Sequence, residues 1–364
     1  MGKKIIFVDY LRVIAFISVA VVHWLSVFWT NPSVITMVTG APELDKIHVG
    51  LYDVLTPSLP VFNFGQFGVS LFFLISGLVI PFSLEKKTTS GFFKSRLSRI
   101  YPTYIACCIL SLIIAYVTAK IFWDTSNTKP FVEIITSLTL TNSLFHTQAV
   151  DWVNWTLSVE IKFYIICIAL KKFILGGRVD VLFLFFGVVL LFSYITSPLI
   201  NYIEFKDFVI SIDGLRNEFI YCLYMMIGVL FNLNIKGKIN TFQLYSYAVI
   251  MFSLFVLTIK NSNMDNQLAY IEPNYIYSLI LFSFIYSIRN IFIENKIILF
   301  FSAISYPFYA LHSIVGYVSI RILYSYGLRP EVCAIIAFFI VSSLSYLVYI
   351  SVDKWAVNFG KKIK

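Results

Sequence analysis

Charged residues are scarce in this sequence. Asp, Glu, Lys and Arg together make up 13% of the 364 residues, whereas 59% are apolar and the mean hydropathy is +0.83. Soluble globular domains carry about 25% charged residues, because water must solvate their surface. A water-soluble domain is therefore excluded, and we predict a protein that is solvated by lipid.

The patterns of several common site classes are also missing. The five cysteines lie in apolar runs, without the spacing of a metal site or of a secreted disulfide framework. There is no Gly-rich phosphate loop and no internal repeat. No polar connection exceeds roughly 35 residues, which is too short for a separate soluble domain. Metal centres and nucleotide-binding cassettes are thus excluded, and any chemistry must be built between helices.

Long apolar runs separated by short polar breaks make up most of the chain. A run crosses the hydrocarbon core of a bilayer when it reaches about 20 residues. The sequence therefore predicts an all-α, polytopic transmembrane bundle of about ten spans that forms one membrane domain over residues 1–364. The predicted spans are residues 5–28, 64–84, 101–122, 155–172, 179–198, 217–233, 242–259, 271–290, 297–324 and 332–352.

Basic residues are distributed unevenly among the connections. Lys and Arg collect at the N-terminus, with Lys3 and Lys4, and in every second connection after it, and they are sparse in the others. Because positive residues mark the cytoplasmic side of short connections, both termini are predicted to be cytoplasmic. The net charge of +9 is then an insertion signal and a complement to anionic lipid, and it does not indicate nucleic-acid binding.

The first predicted span contains an arginine and a histidine eleven residues apart, Arg12 and His23. At about 100° per residue, the two side chains share one helix face and lie about 16 Å apart along the axis. Ionisable residues are costly in lipid and mark functional sites. The structural alternatives are that Arg12 reaches the inner headgroups and that His23 is a satisfied core residue. Asp9 and Arg12 interrupt the run, and no small-residue cleavage site follows, so we expect a retained span rather than a signal peptide.

Small and basic residues mark the next two segments. In FGVSLFFLISGLVI, Ser76 and Gly77 interrupt a bulky run and would allow close approach of a helix or a ligand. In the following inner segment, FFKSRLSRIYPTY, Arg96 and Arg99 share a face if the segment is helical. Paired guanidiniums suit phosphate groups, which they bind in bidentate fashion. A positive-inside cluster that contacts lipid headgroups explains the pair equally well.

The fourth predicted span carries a carboxylate near its outer end. Glu160, in WTLSVEIKFY, lies about 7 Å deeper than Trp155, at a depth similar to that of His23 in a core roughly 30 Å thick. We therefore expect Glu160 to meet His23 and to orient its imidazole; the structural alternative is an ion pair between Glu160 and Lys162. Four further polar residues are predicted to line a cavity: Asp9, Ser76, Tyr306 and His312.

These strings, taken in order, resemble the acyltransferase-3 family of multispan membrane acyltransferases over nearly the whole chain. The resemblance is carried by DYLRVIAFISVAVVH, GVSLFFLISGLVI, FFKSRLSRIYPTY, WTLSVEIKFY and ISYPFYALH. The sequence departs from the family at Ile161 and Lys162, where a second acid and a glutamine are common. It departs again at residues 353–355, where a Glu-Arg-Pro-like ending is common.

The resemblance implies a standalone membrane O-acyltransferase of the O-antigen or exopolysaccharide type. The implied reaction transfers an acyl group, usually acetyl, from cytoplasmic acyl-coenzyme A to a hydroxyl group of a free or lipid-linked carbohydrate, in a bacterial inner membrane. Matched motif positions imply that His23 is the catalytic residue, that Arg12, Arg96 and Arg99 serve the donor, and that Glu160 is the acid of the fourth-span motif. Acetyl-coenzyme A is expected to be the donor substrate and not a bound cofactor. No metal ion and no nucleic acid are expected to bind.

The residues themselves agree with this chemistry. A hydroxyl group is a weak nucleophile, so its transfer reaction with a thioester benefits from a general base such as neutral His23, whether attack is direct or passes through an acyl-histidine. A transporter or flippase would instead use intramembrane Arg, His and Glu for proton relay or anion binding, and a non-catalytic scaffold would need none of them. The outer connections 29–63 and 123–154 are expected to select the acceptor.

Overall fold

The computed structural model of the protein describes residues 5–55, 62–202, 211–262, 264 and 271–363. Within these residues every regular element is a helix, so the predicted all-α fold is confirmed. Lys3 and Lys4, which contribute to the predicted orientation, lie outside the described residues, as do residues 56–61 of the first outer connection.

The helices follow one another with mostly short connections. In chain order they are α1 (Ile6–Thr30), α2 (Pro32–Thr39), α3 (Gly50–Leu55), α4 (Phe64–Lys86), α5 (Thr89–Trp123), α6 (Phe131–Leu138), α7 (Asn142–Phe145), α8 (Trp155–Ala169), α9 (Lys171–Gly176), α10 (Val179–Tyr202), α11 (Ile212–Ile235), α12 (Thr241–Lys260), α13 (Ile271–Ser287), α14 (Lys296–Leu311), α15 (Ile314–Ser325), α16 (Pro330–Val348) and α17 (Lys354–Lys362). π-helical turns occur at His23–Val27 within α1 and at Tyr349–Asp353 between α16 and α17.

Most of the predicted spans appear as long apolar helices. In the described part of the chain, seven helices are long and apolar enough to cross a membrane: α1, α4, α5, α10, α11, α12 and the stretch from α16 to α17. The pair α14 and α15 makes an eighth if it is one broken span. The two remaining predicted spans, α8 and α13, have 15 and 17 residues, which is short for a core that needs about 20. The fold is a polytopic helical bundle.

The helix α11 lies at the centre of the bundle, where it packs against α4, α8, α10 and α12. Its closest approach is to α4. A Cβ atom at Gly77 would collide with the carbonyl oxygen of Met225, and one at Gly228 would collide with that of Leu74. Only glycine lets two helix backbones touch in this way, so the close approach predicted at Gly77 is confirmed.

The first helix, α1, separates two apolar clusters. On one face, Phe7, Leu11 and Val19 belong to the larger cluster, together with α4 and α11–α13. On another face, Phe16 and Trp24 belong to the smaller cluster, together with α14–α16. Because both faces are covered, polar side chains on α1 point into the protein rather than into lipid, which is where functional intramembrane residues are found.

The predicted span 297–324 is broken in the structure. α14 and α15 meet at 76°, with His312 and Ser313 between them, so the predicted span consists of two helices. Two other elements hold the break: Trp24 Nε1 donates to the His312 carbonyl oxygen at 2.8 Å, and Ser313 Oγ donates to Asp151 Oδ1 at 2.6 Å. Polar groups freed by a break need such partners at membrane depth.

Candidate active site

A partly polar cavity lies between α1, α4, α5, α8 and α14. Its volume is about 920 Å³, including the part that is open to solvent. Much of its wall is apolar or aromatic, as at Phe72 and Tyr306. The charged residues of the wall are Arg12, Arg96, Arg99 and Glu160. We refer to it as the arginine cavity.

Arg12 reaches the arginine cavity from α1. Its guanidinium lies 3.6 Å from Asp9 Oδ1, one helical turn earlier, and the same carboxylate oxygen accepts a hydrogen bond from Ser302 Oγ at 2.6 Å. Asp9 is buried. Asp9 was predicted to line a cavity, but it does not line this one. Its carboxylate instead pairs with the Arg12 guanidinium.

Arg96 and Arg99 enter the cavity from the first turns of α5, so the predicted helical face is confirmed. Arg96 is buried between two aromatic rings, with its guanidinium carbon 5.5 Å from the centroid of Phe92 and 5.8 Å from that of Tyr164. Cation–π contacts stabilise the charge. Its Nε atom has no hydrogen-bond partner among the described residues, so the guanidinium keeps donor capacity for a ligand.

The balance of charge in the cavity favours an anion. Three guanidiniums and one carboxylate line it, which leaves an excess of two positive charges (3 − 1) when all are ionised. A cleft with one dominant sign of charge and low-dielectric walls concentrates ligands of the opposite sign. The arginine cavity is therefore suited to a negatively charged molecule with an apolar part.

Glu160 belongs to the arginine cavity and not to the surroundings of His23. Its Oε1 accepts hydrogen bonds from Tyr164 OH at 2.6 Å and from Ser76 Oγ at 3.3 Å, and the carboxylate lies close enough to interact electrostatically with two of the arginines. Within the described residues no hydrogen bond or ion pair joins it to His23. The expected contact is thus not formed, because equal depth does not fix the direction in which two side chains leave their helices.

Lys162, the alternative partner of Glu160, is engaged elsewhere. Its Nζ lies 2.7 Å from Glu218 Oε2 on α11 and donates to Ser158 Oγ at 2.8 Å. Both charged side chains are largely buried, at 13% and 7% exposed. A buried pair with added hydrogen bonds holds its partners in register, so this contact ties α8 to the central helix.

His23 is the first residue of the π-helical turn in α1. Its Nδ1 is hydrogen-bonded to the hydroxyl group of Tyr317 on α15, and its ring meets that of His312 edge to face, with centroids 4.9 Å apart. Its Nε2 has no hydrogen-bond partner among the described residues. When Nδ1 carries the proton and donates to Tyr317, Nε2 presents a lone pair and can act as a base. Single π-helical turns are frequent at functional sites.

His312 lies at the break between α14 and α15 and is 1% exposed. Its Nδ1 donates to the carbonyl oxygen of Tyr309 at 2.6 Å, which fixes the neutral tautomer in which Nε2 keeps its lone pair. That buried Nε2 has no partner among the described residues, an arrangement that is rare in proteins and calls for an explanation. We refer to His23, His312 and Tyr317 as the histidine cluster.

A buried carboxylate, Asp151, lies next to the helix break that carries His312. The sequence did not predict it as a site residue. It lies in the connection before α8, where its Oδ1 accepts hydrogen bonds from Ser313 Oγ at 2.6 Å and from the Val153 N–H at 3.2 Å. Burial raises the pKa of Asp151 to about 6, because loss of water disfavours the charged form of a carboxyl group. Asp151 thereby ties an outer connection to the break that carries His312.

The structure divides the sequence-predicted site residues between these two regions. Neither His23 nor His312 lines the arginine cavity, whereas Ser76 and Tyr306 do. Two tyrosines that the sequence analysis missed complete the regions. Tyr164 follows Glu160 by four residues, a helical spacing from which their contact could have been predicted. Tyr317 could not have been predicted, because nothing in the sequence shows that the chain turns after His312 and brings Tyr317 against His23.

Comparison with known proteins gives one match. A family model described as an acyltransferase domain matches residues 5–350, which is nearly the whole chain. The chain belongs to the acyltransferase-3 family. The comparisons with curated proteins and with solved structures gave no match.

As a member of the acyltransferase-3 family, the chain is a multi-pass membrane protein and an acyltransferase. The matched range contains the arginine cavity and the histidine cluster in full, and it ends before α17. An acyltransferase needs an acyl donor, an acceptor and a group that manages the acceptor's proton. The two regions along α1 offer different chemistry for these tasks.

Proposed function

We propose that the protein transfers an acyl group, acetyl in the first place, from acyl-coenzyme A to a hydroxyl group of a cell-surface carbohydrate or its lipid-linked precursor in a bacterial inner membrane. The observation that carries the proposal is the convergence of Arg12, Arg96 and Arg99 on one cavity. Of these, Arg12 lies on α1, the helix that also presents His23. Acyl-coenzyme A is a donor substrate, and the proposal includes no bound cofactor.

The arginine cavity suits the donor in charge and in lining. The nucleotide part of coenzyme A carries phosphate groups, and guanidiniums bind phosphate oxygens through strong charge-assisted hydrogen bonds. Its pantetheine arm and acyl group are less polar, which matches the apolar wall around Phe72 and Phe73. Glu160, hydrogen-bonded to Tyr164 and Ser76, supplies a negative charge beside the arginines. Glu160 thus serves the donor site and does not act on His23.

The histidine cluster suits the reaction centre. His23 Nε2 takes the proton of the acceptor hydroxyl while the hydroxyl oxygen bonds to the thioester carbonyl carbon. The carbon–sulfur bond then breaks, and the coenzyme A thiolate leaves and receives the proton from His23. Tyr317, bonded to Nδ1, and the Nε2 lone pair of His312 stabilise the positive charge that His23 carries between the two transfers.

A transporter is the second candidate, and one observation bears on it. The helix pair α14 and α15 is broken at 76°, and discontinuous helices hold substrates in several transporter folds. Here, however, the break positions His312 against His23 through the contacts of Trp24 and Ser313. It is also the one bent pair among the described residues, whereas inverted repeats would produce two. Family membership favours the enzyme.

The proposal is tested with purified protein, acetyl-coenzyme A labelled in the acetyl group, and membrane glycans from the producing cell as acceptor. We expect labelled glycan with the wild type and none with His23→Ala. Mass spectrometry of the glycan identifies the transferred group by a fixed mass difference. Movement of label across proteoliposome membranes without ester formation would support transport instead. Full activity of His23→Ala would contradict the catalytic role.

A further inference from the structure

The last helix, α17, lies beyond the range that the family model matches and has two different faces. Asp353, Ala356 and Gly360 are buried, while Trp355 and Phe359 are 61% and 48% exposed. The buried residues follow one another at three- and four-residue spacing, which is one face of a helix. At about 100° per residue, the aromatic pair points roughly 110° away from the centre of that face. Such a helix contacts the protein on one side only.

The buried face of α17 packs on the first turns of α5. The carbonyl oxygen of Gly360 accepts hydrogen bonds from Ser95 Oγ and from Lys87 Nζ, both at 2.8 Å. A Cβ atom at Gly360 would lie 2.8 Å from Ser98 Oγ and 3.0 Å from the Ser95 carbonyl oxygen. Residue 360 therefore must be small for the two helices to pack as they do.

The turn that α17 contacts is the one that carries the donor-site arginines. Ser95 directly precedes Arg96, and Ser98 directly precedes Arg99. At the start of α17, the buried Asp353 accepts a hydrogen bond from Thr103 Oγ1 of α5 at 2.9 Å. The arginine-bearing turn is thus held between α17 on one side and the arginine cavity on the other.

Helix lengths put this contact at the surface of the membrane. The helix α5 has 35 residues and the stretch from α16 to α17 has 33, which correspond to about 50 Å each, while the hydrocarbon core is about 30 Å thick. Both helices extend beyond the core, and they do so at the same end, because α17 packs against the start of α5. This is the end predicted to be cytoplasmic.

The outward face of α17 combines aromatic rings with positive charge. The Trp355 and Phe359 rings are stacked, with centroids 5.6 Å apart and planes 15° apart. Lys354, Lys361 and Lys362 are also exposed on the outward half of α17. Aromatic rings favour the headgroup level of a bilayer, and surface lysines attract anionic lipid, so this face is complementary to an anionic membrane surface.

We propose that α17 is a membrane-surface clamp, which binds anionic phospholipid with its aromatic and lysine face and holds the arginine-bearing turn of α5 with its small-residue face. The lipid contact stands independently of the reaction. The effect on the donor rests on the function proposed above, so the two are tested by separate readouts.

The lipid contact is tested by the fluorescence of Trp355 in nanodiscs of phosphatidylglycerol and phosphatidylcholine, with bromine on the acyl chains of one lipid at a time. The contribution of Trp355 is the fluorescence of the wild type minus the fluorescence of Trp355→Phe. We expect quenching at least about twofold stronger when phosphatidylglycerol carries the bromine, since each nearby lysine favours anionic lipid. Replacing Lys354, Lys361 and Lys362 with Gln should remove the preference.

Three outcomes of that experiment would overturn the lipid contact. Equal quenching by the two brominated lipids would show no preference for anionic headgroups. Quenching by acrylamide alone would place Trp355 in water. Protection from every quencher would show that a second copy of the chain or another protein covers this face.

The effect on the donor site is tested with Gly360→Val and its matched control Gly187→Val. A side chain at residue 360 must displace the turn of α5, and small displacements of binding groups have large effects, so we expect the KM for acetyl-coenzyme A to rise roughly tenfold with little change in kcat. Gly187, on α10, has open space around its Cβ position, so its variant should match the wild type.

A second variant keeps this test decisive if Gly360→Val fails to fold. Ser95→Ala removes one hydrogen bond to α17 and adds no bulk, and it should raise the same KM by roughly threefold. An unchanged KM in a folded Gly360→Val or in Ser95→Ala would contradict the clamp. If the wild type itself does not use acetyl-coenzyme A, the function proposed above fails, while the fluorescence result for α17 still stands.

Discussion

Two polar regions lie along α1, and they are assembled in different ways. The arginine cavity is wide, charged and drawn from several helices; within it Arg96 lies between two aromatic rings and Arg12 pairs with Asp9. The histidine cluster contains no acid or arginine, and each of its imidazoles has a short hydrogen bond that fixes the ring. The first region is dominated by charged side chains, whereas the second holds its side chains in a fixed geometry.

This difference corresponds to two tasks. A large, flexible and anionic donor needs charge and room, which the three guanidiniums and the wide cavity supply. Proton transfer needs a base within hydrogen-bond reach and in the correct tautomer, which is achieved by rigid neighbours. Because α1 contributes Arg12 to one region and His23 to the other, one rigid helix sets the distance between donor and reaction centre.

The largest effect should come from His23→Ala, which separates the two regions most clearly. Loss of the general base should lower kcat by about 10³-fold, while the KM for acetyl-coenzyme A stays near that of the wild type. The measurement is steady-state transfer of labelled acetyl groups to membrane glycan. Arg178→Gln is the control, since Arg178 is exposed, pairs with Asp180 and lies outside both regions. A rise in the donor KM equal to the loss in kcat would remove the distinction between the regions.

Arg96→Gln should have the opposite pattern of effects. A charge-assisted hydrogen bond is worth about 1.5–3 kcal/mol, so the KM for acetyl-coenzyme A should rise about 10- to 100-fold, with a smaller change in kcat. Arg178→Gln is the matched control, because Arg178 is exposed and pairs with Asp180. The same kinetics in Arg96→Gln as in Arg178→Gln would mean that Arg96 does not contact the donor.

The fold was largely predictable from the sequence, and its departures have physical causes. Composition and apolar runs predicted a helical membrane bundle, and the glycine at residue 77 predicted a close helix contact. The break at His312 was not predictable, because it depends on Trp24 and Asp151, which are distant in sequence. Apolarity shows that a segment lies out of water; it does not show whether a neighbouring side chain will satisfy the polar groups of a broken backbone.

His312 offers a sharper test of the histidine cluster through a pair of variants. In His312→Asn the amide can still donate to the Tyr309 carbonyl oxygen, but the acceptor at the Nε2 position is lost; in His312→Gln an amide oxygen reaches the Nε2 position. If Nε2 stabilises positive charge on His23, His312→Asn should lower kcat about tenfold and His312→Gln less, with an unchanged donor KM. Full activity of His312→Asn would show that only the bond to Tyr309 is needed.

The smallest effect is expected for Tyr317→Phe. The variant keeps the ring and removes the hydroxyl group that is bonded to His23 Nδ1. One hydrogen bond contributes about 1 kcal/mol, so kcat should fall about fivefold. The same assay measures it, with Tyr326→Phe as control because Tyr326 is exposed. No change in kcat would mean that another group orients His23.

The candidate site was predictable in part. Helical spacing predicted that Arg96 and Arg99 share one face, and both line the arginine cavity. The depth of Glu160 in its span led to the expectation that it meets His23. Depth alone could not decide the partner of Glu160, which bonds to Tyr164 and Ser76 instead. Direction around a helix depends on how the helices pack against one another, and a single sequence gives little information about that packing.

The most direct test of the division between the two regions is equilibrium binding of acetyl-coenzyme A, measured by calorimetry on His23→Ala and on the variant with Arg12, Arg96 and Arg99 replaced by Gln. We predict that His23→Ala binds the donor with wild-type affinity but transfers acetyl groups about 10³-fold more slowly, and that the arginine variant shows no measurable binding. Loss of binding in His23→Ala, or retention of binding in the arginine variant, would contradict the account.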